Sequence, residues 1–218
     1  MVHPYVLWSV AGVCSLVTLL ILLTPTQESE RQRLEQLLGH TVAVLEAAEV
    51  TYWVCDGTLI GAFRDARVVL GDFDADLNIP IESLDAIRRV DWQSAGLVCY
   101  EGYGGFRIKA WSLDTLRIDI FVRRDVGGMI VYGWPHLDSM YEKTVTPVSF
   151  IFPLRRYKMS VFEVYGPAKP HVILSHQYGD YSLSPPKTWA DAMWVCFERQ
   201  VWARVIPLAS YFSPMMTY

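Results

Sequence analysis

The chain has 218 residues, 52% hydrophobic and 19% charged, with a formal net charge of −4. That length supports one sizeable core in a single domain, and the acidic balance offers no basic surface on which a nucleic acid would be held. With no internal repeat and no low-complexity tract, the function has to come from a site.

Residues 6–23 form an apolar run of eighteen residues without one charge, which at about 1.5 Å per residue reaches roughly across the hydrocarbon core of a bilayer. Residues 1–25 are therefore expected to be a membrane anchor. A cleaved signal peptide is the rival reading, weakened by the absence of Lys and Arg ahead of the run and by Thr24-Pro25-Thr26, which is no small-x-small cleavage site. Charge does not orient the segment, because Arg31 and Arg33 are mixed with Glu28 and Glu30. Residues 26–33 read as a short polar linker. Over 31–48, apolar Leu34, Leu37, Leu38, Val42 and Leu45 recur at helical spacing.

Residues 51–55 are strand-prone, Asp56-Gly57-Thr58 reads as a turn, and residues 59–64 as a short helix. A glycine there lets the backbone approach a phosphate, Thr58 and the opening amides offer donors, and Arg64 stands where its planar fork would return to the same place. A plain hairpin or cap would use the same dipeptide. Next comes the run Gly71-Asp72-Phe73-Asp74-Ala75-Asp76-Leu77-Asn78-Ile79-Pro80. In a strand, Asp72, Asp74 and Asp76 would share one face at about 6.6 Å per pair. Like charges so close call for a hard divalent cation, Mg²⁺ or Mn²⁺; an exposed acidic edge strand is the alternative.

A second short helix is expected over 82–90, then strands over 96–100, 106–111, 117–122 and 129–132. The order predicts an α+β fold, a mixed sheet packed on helices. Asp119 interrupts an otherwise apolar strand, where a charge needs a partner: a metal ion, or Arg107 or Arg117, or solvent. Arg107 and Lys109 alternate on one strand face and are candidates to hold phosphate, with solvated charges as the alternative. Arg155, Arg156 and Lys158 are read as solvated or as meeting lipid head groups. The cysteines lack zinc spacing, and Cys55 reads as a small core residue. A helix is expected over 171–177, ended by Gly179. Trp189, Met193, Phe197, Val201 and Trp202 recur at helical spacing as a docking face.

The segment WVCDGTLIGAFR at 53–64 and the following DFDADL at 72–77 resemble the signature of the LicD/fukutin family, in particular its fukutin-related branch. Ile118-Asp119-Ile120-Phe121 is similar to the family's later acidic strand, and Tyr178-Gly179-Asp180-Tyr181 with Pro185-Pro186 is similar to its C-terminal motif. The resemblance covers 34–189, expected as the catalytic domain, with 190–218 as an aromatic-rich tail. One departure is Gly71, where the family usually has tryptophan.

The resemblance implies a nucleotidyltransferase-like fold and transfer of a phospho-alcohol, ribitol phosphate or phosphocholine, from a CDP-activated donor onto a glycan or glycolipid hydroxyl. It also implies a single-pass type II protein whose catalytic domain lies in the Golgi or ER lumen. On this reading Asp74, Asp76 and Asp119 hold Mg²⁺ or Mn²⁺, and Asp72 ligates the ion or orients a ligand. Gly57, Thr58, Arg64, Arg107 and Lys109 meet the donor phosphates. Asp119, with Asp72 second, takes the proton of the acceptor hydroxyl. Transfer of NMP by the same carboxylates and a catalytically inactive scaffold are the competing expectations.

Overall fold

The computed structural model describes residues 27–102, 104–112, 114–133 and 144–182. The apolar run at 6–23, Pro185-Pro186 and the aromatic stripe at 189–202 lie outside the described residues. Among the described residues no helix is long and apolar enough to cross a membrane.

Helix α1, Gln27–Ala47, starts earlier than expected, so residues 27–33 are helix and not linker. Charge pairing explains the extension. Glu28 and Glu30 sit in the first turn, where acidic side chains complement the helix dipole, and Glu28 pairs with Arg31 and with Arg67. The apolar positions expected to pack, Leu34, Leu37, Leu38, Val42 and Leu45, are all buried.

Among the described residues the sheet has seven strands: β1 Trp53–Val54, β2 Asp74–Pro80, β3 Val98–Gly102, β4 Gly105–Lys109, β5 Arg117–Val126, β6 Met129–Tyr132 and β7 Thr146–Pro147. Its order is β1-β2-β5-β4-β3, with β6 on β5 and β7 on β6. The β2–β5 pair is parallel and the others are antiparallel, so the mixed sheet is as expected. Alternation gives the sheet two unlike faces. Ala75, Leu77 and Ile79 of β2, Ile118, Ile120 and Val122 of β5, and Phe106 and Ile108 of β4 are buried, with α1 packed against β2 and β5. The intervening positions of β2, β4 and β5 carry Asp74, Asp76, Arg107, Arg117 and Asp119.

Asp72 falls outside β2, which begins at Asp74. The chain first turns, with the Asp72 amide donating to the Val69 carbonyl at 3.2 Å and Gly71 at φ 87°. That left-handed conformation favours glycine over the tryptophan the resemblance would place there.

Helix α2, Asp56–Ile60, continues into a π-helical turn, Gly61–Asp65. The helix expected over 82–90 is a 3₁₀ turn, Ile81–Ser83, followed by α3, Leu84–Arg88, with Ile87 in the core. After α4, Val148–Ile151, a hairpin that the sequence reading did not find pairs β8, Arg155–Met159, with β9, Phe162–Gly166. Arg156 of its basic cluster stays exposed while donating to Glu46 of α1 at 3.0 Å and stacking over the Tyr165 ring at 3.9 Å. Helix α5, Pro170–Tyr178, opens on proline and stops at Gly179, φ 70°.

Candidate active site

The register of the two central pairs assembles the site. The parallel β2–β5 ladder sets Asp76 opposite Asp119 and Asp74 opposite Arg117, and the antiparallel β4–β5 ladder sets Arg107 opposite Asp119. Arg117 bridges the two strands: its Nη2 donates to Asp74 Oδ2 at 2.7 Å and its Nε to Asp119 Oδ2 at 2.9 Å. Arg107 donates from Nε to Asp119 Oδ1 at 2.7 Å and from Nη2 to Oδ2 at 3.3 Å. The structure thus shows the arginine pairing weighed for Asp119.

Asp76 has no such partner. Among the described residues no ion pair or side-chain donor engages its carboxylate; its backbone amide donates to Thr58 Oγ1 at 2.7 Å. Burial first, then the like charges of Asp56, Asp74 and Asp119, push its carboxyl well above the usual carboxylate range. Burial also raises Asp74, against the pull of Arg117. Asp72 stands beside the start of α2, where a Cβ on Gly57 would lie 3.3 Å from Asp72 Oδ2.

The remaining expected residues are placed differently from one another. Thr58 is buried beneath the site, and its hydroxyl ties α2 to β2. Arg64 pairs with Asp65 through Nε and Nη2 at 2.8 and 2.6 Å, and donates from Nη1 to the Tyr181 carbonyl at 2.8 Å. Asp72 adds to its electrostatic environment. Lys109 donates to the Asp114 carbonyl at 2.7 Å, and burial, then Arg107 and Arg117, lower its ammonium from the usual range. It stands at the edge of the acidic cluster, bound to the loop. Cys55 is buried with its thiol pushed up, mainly by burial, which leaves it a core residue and not a nucleophile.

Three residues of the site were given no catalytic or phosphate-binding role from the sequence, although Arg117 was weighed as a partner of Asp119 and Tyr178 lies in the C-terminal motif. Asp56, at φ 47°, adds a carboxylate beside Asp76 and accepts from the Tyr178 hydroxyl at 3.4 Å. Arg117 lies two residues before Asp119 on the same strand face, which was the available signal for it. For Asp56 the signal was a carboxylate directly ahead of Gly57-Thr58; for Tyr178 it was the Tyr178-Gly179-Asp180-Tyr181 motif, which does not reveal the contact with α2 across 122 positions. Beside Tyr178 a groove of ≈490 Å³ is lined by Phe63, Arg64, His171 and Tyr181 among others. His171 Nδ1 and the Tyr181 hydroxyl lie 2.6 Å apart at its wall.

The chemistry of this donor set fits a hard divalent cation. The candidate ligands Asp74, Asp76 and Asp119 are all oxygen donors, and the surplus negative charge collects at Asp76. As they stand, no three acidic, histidine or cysteine side chains among the described residues are grouped to hold an ion, and Arg117 engages both Asp74 and Asp119.

The family described as LicD/FKTN/FKRP, nucleotidyltransferase domain, matches residues 49–169, from just ahead of β1 to just past β9. The chain belongs to this LicD/fukutin family. Human ribitol 5-phosphate transferase FKRP is 37% identical over 68 residues, 31% of this chain and 14% of that protein. Human ribitol-5-phosphate transferase FKTN is 23% identical over 196 residues, 82% of this chain and 41% of that one. The uncharacterized protein RP689 of Rickettsia prowazekii is 28% identical over 149 residues, 68% and 54% of the two chains. The chain therefore spans about half or less of the length of these curated relatives. Among solved structures, ANT(2")-Ia in complex with adenylyl-2"-tobramycin is similar at a TM-score of 0.47 and 15% identity, over 82% of this chain and 98% of that chain. The lincosamide antibiotic adenylyltransferase LnuA is similar at 0.46 and 15%, over 72% and 91%.

Proposed function

We propose that this protein transfers a phospho-alcohol, ribitol phosphate or a close analogue, from a CDP-activated donor onto a hydroxyl of a glycan or glycolipid, releasing CMP. The observation that carries the reading is the register of the parallel β2–β5 pair, which brings Asp76 opposite Asp119 beside the Gly57-Thr58 segment. Membership of a family that includes the ribitol 5-phosphate transferases FKRP and FKTN supports the choice of transferred group.

Asp74, Asp76 and Asp119 would hold Mg²⁺ or Mn²⁺, which when bound neutralises charge on the donor pyrophosphate. Gly57 leaves open, next to Asp72, the space that a Cβ would fill. Arg107, its side chain 44% exposed, presents a planar fork to phosphate oxygens. Asp119, which accepts from Arg107 and Arg117, and Asp72 beside the start of α2 are the two candidates to take the proton of the attacking hydroxyl. The apolar run at 6–23 supports a membrane anchor, and placement in the Golgi or ER with the domain in the lumen is proposed from family membership alone.

The test is incubation of the full-length chain in detergent with labelled CDP-ribitol or CDP-choline, with and without Mn²⁺, beside the Asp74→Ala, Asp76→Ala double variant. Mn²⁺-dependent transfer of label with release of CMP, absent in the variant, is the expected result. Label entering the acceptor as NMP from CTP, with release of pyrophosphate, would replace the reading with nucleotidyl transfer. Folded protein that binds no donor under either condition would leave a scaffold.

A further inference from the structure

Arg117 holds a position that the proposed reaction does not use. Its guanidinium engages Oδ2 of both Asp74 and Asp119, two of the three carboxylates assigned to the cation, and lies over the Phe73 ring at 4.7 Å. A guanidinium and a hard cation carry the same sign and compete for the same oxygens, so each excludes the other there. Arg117 also leaves the charge balance unfinished. Three strand carboxylates face two guanidinium groups, and the ion pairs of Arg117 go to Asp74 and Asp119 and not to Asp76.

The backbone and side chain of Arg117 are held in different ways. Its amide donates to the Phe73 carbonyl at 3.3 Å, which fixes where β5 begins beside β2. The side chain is 22% exposed, on a flexible stem, and its fork matches a phosphate as well as it matches two carboxylates. The Phe73 ring remains as a resting surface when the carboxylates are taken.

We propose that Arg117 is an exchanging arginine: in the free site it neutralises Asp74 and Asp119, and when a divalent cation takes those oxygens it turns to a phosphate of the donor. The proposal rests on the metal-dependent reading of the site. Arg117 is then a phosphate-binding residue of the loaded enzyme and the internal counter-cation of the empty one. It keeps the site folded before the donor arrives and makes donor and cation bind as partners, because each relieves a cost the other imposes.

The experiment is isothermal titration of the full-length chain in detergent, first with Mn²⁺ alone and then with inorganic pyrophosphate at saturating Mn²⁺, for the native chain, Arg117→Gln and Arg117→Lys. In Arg117→Gln, Mn²⁺ alone is expected to bind about tenfold or more tightly, the effect that one opposite charge at ion-pair distance has on a carboxylate. Its pyrophosphate affinity is expected to fall by a similar factor. Arg117→Lys, which keeps the charge and loses the fork, should lie between the two in Mn²⁺ affinity and share the pyrophosphate loss; it carries the test if the glutamine variant does not fold. Unchanged or weaker Mn²⁺ binding in both variants would make Arg117 a fixed structural bridge and overturn the proposal. Tighter Mn²⁺ binding with unchanged pyrophosphate affinity would overturn its phosphate half. A native chain that binds no Mn²⁺ would remove the metal-dependent reading itself, and the proposal with it.

Discussion

Asp76 concentrates the conflict between stability and use in this site. Its carboxyl lies above the usual range in the folded chain, through burial and the charges of Asp56, Asp74 and Asp119. Proton uptake therefore favours the folded state: the contribution is fully present below the ordinary carboxylate value and is lost as pH rises through the raised one. With chelator present, the melting temperature should fall as pH rises above the ordinary carboxylate range. Asp76→Asn should flatten the fall, melt higher at neutral pH and lose activity. A variant that melts lower than the native chain at neutral pH would contradict the assigned charge strain. Gly57 gives a second separation. Alanine favours a helix over glycine by about 1 kcal/mol, but its Cβ would stand 3.3 Å from Asp72 Oδ2. Gly57→Ala is expected to change the melting temperature little and to lower turnover, read in parallel by calorimetry and the transfer assay. The carboxylates of β2 and β5 were legible at this scale because a charge inside an apolar strand needs a partner. The place of Asp56 and the reach of Arg117 to Asp74 were not, because nothing in local spacing says which neighbours a strand will have.

Elements are joined by a few polar ties that periodicity does not reveal. Glu35 sits within the apolar side of α1, 4% exposed, and accepts from Arg67 Nε and Nη2 at 2.9 Å each and from the Val68 amide at 3.2 Å. It fastens α1 to the segment that follows the π-turn. Glu35→Ala leaves those donors unmatched and should cost about 2 kcal/mol in chemical denaturation, moderated because Arg67 reaches solvent. Gly105 matters for a steric reason. A Cβ there would lie 1.8 Å from the Ile120 carbonyl, inside the β4–β5 ladder. Gly105→Ala is expected to part β4 from β5, take Arg107 from Asp119, and lower stability by more than about 2 kcal/mol. Soluble expression with a native-like melting temperature would show that the ladder accommodates the methyl. The β8–β9 hairpin was missed at this scale, since its alternation of basic and partly buried residues reads equally well as a solvated charge cluster.

For the whole molecule, α1 and the apolar sheet face form one core, and Leu38 lies fully buried within it. Leu38→Ala should cost about 3 kcal/mol by the combined loss of transfer energy and the cavity left behind, with the fold retained in circular dichroism. The sequence alone determined the local content: α1 from apolar residues at helical spacing and β2 and β5 from their period of two, whereas Gly57-Thr58, expected as a turn, opens helix α2. It also marked Asp74, Asp76 and Asp119 as carboxylates that need either a positive partner or solvent, because a charge buried alone is costly. Only the tertiary structure decided which partner. The order β1-β2-β5-β4-β3 and the parallel β2–β5 register align Asp74 with Arg117, 43 positions apart, and place Arg107 on Asp119. Strand order is set by how the whole sheet buries its apolar face against α1, a sum over distant contacts that leaves no mark in local spacing.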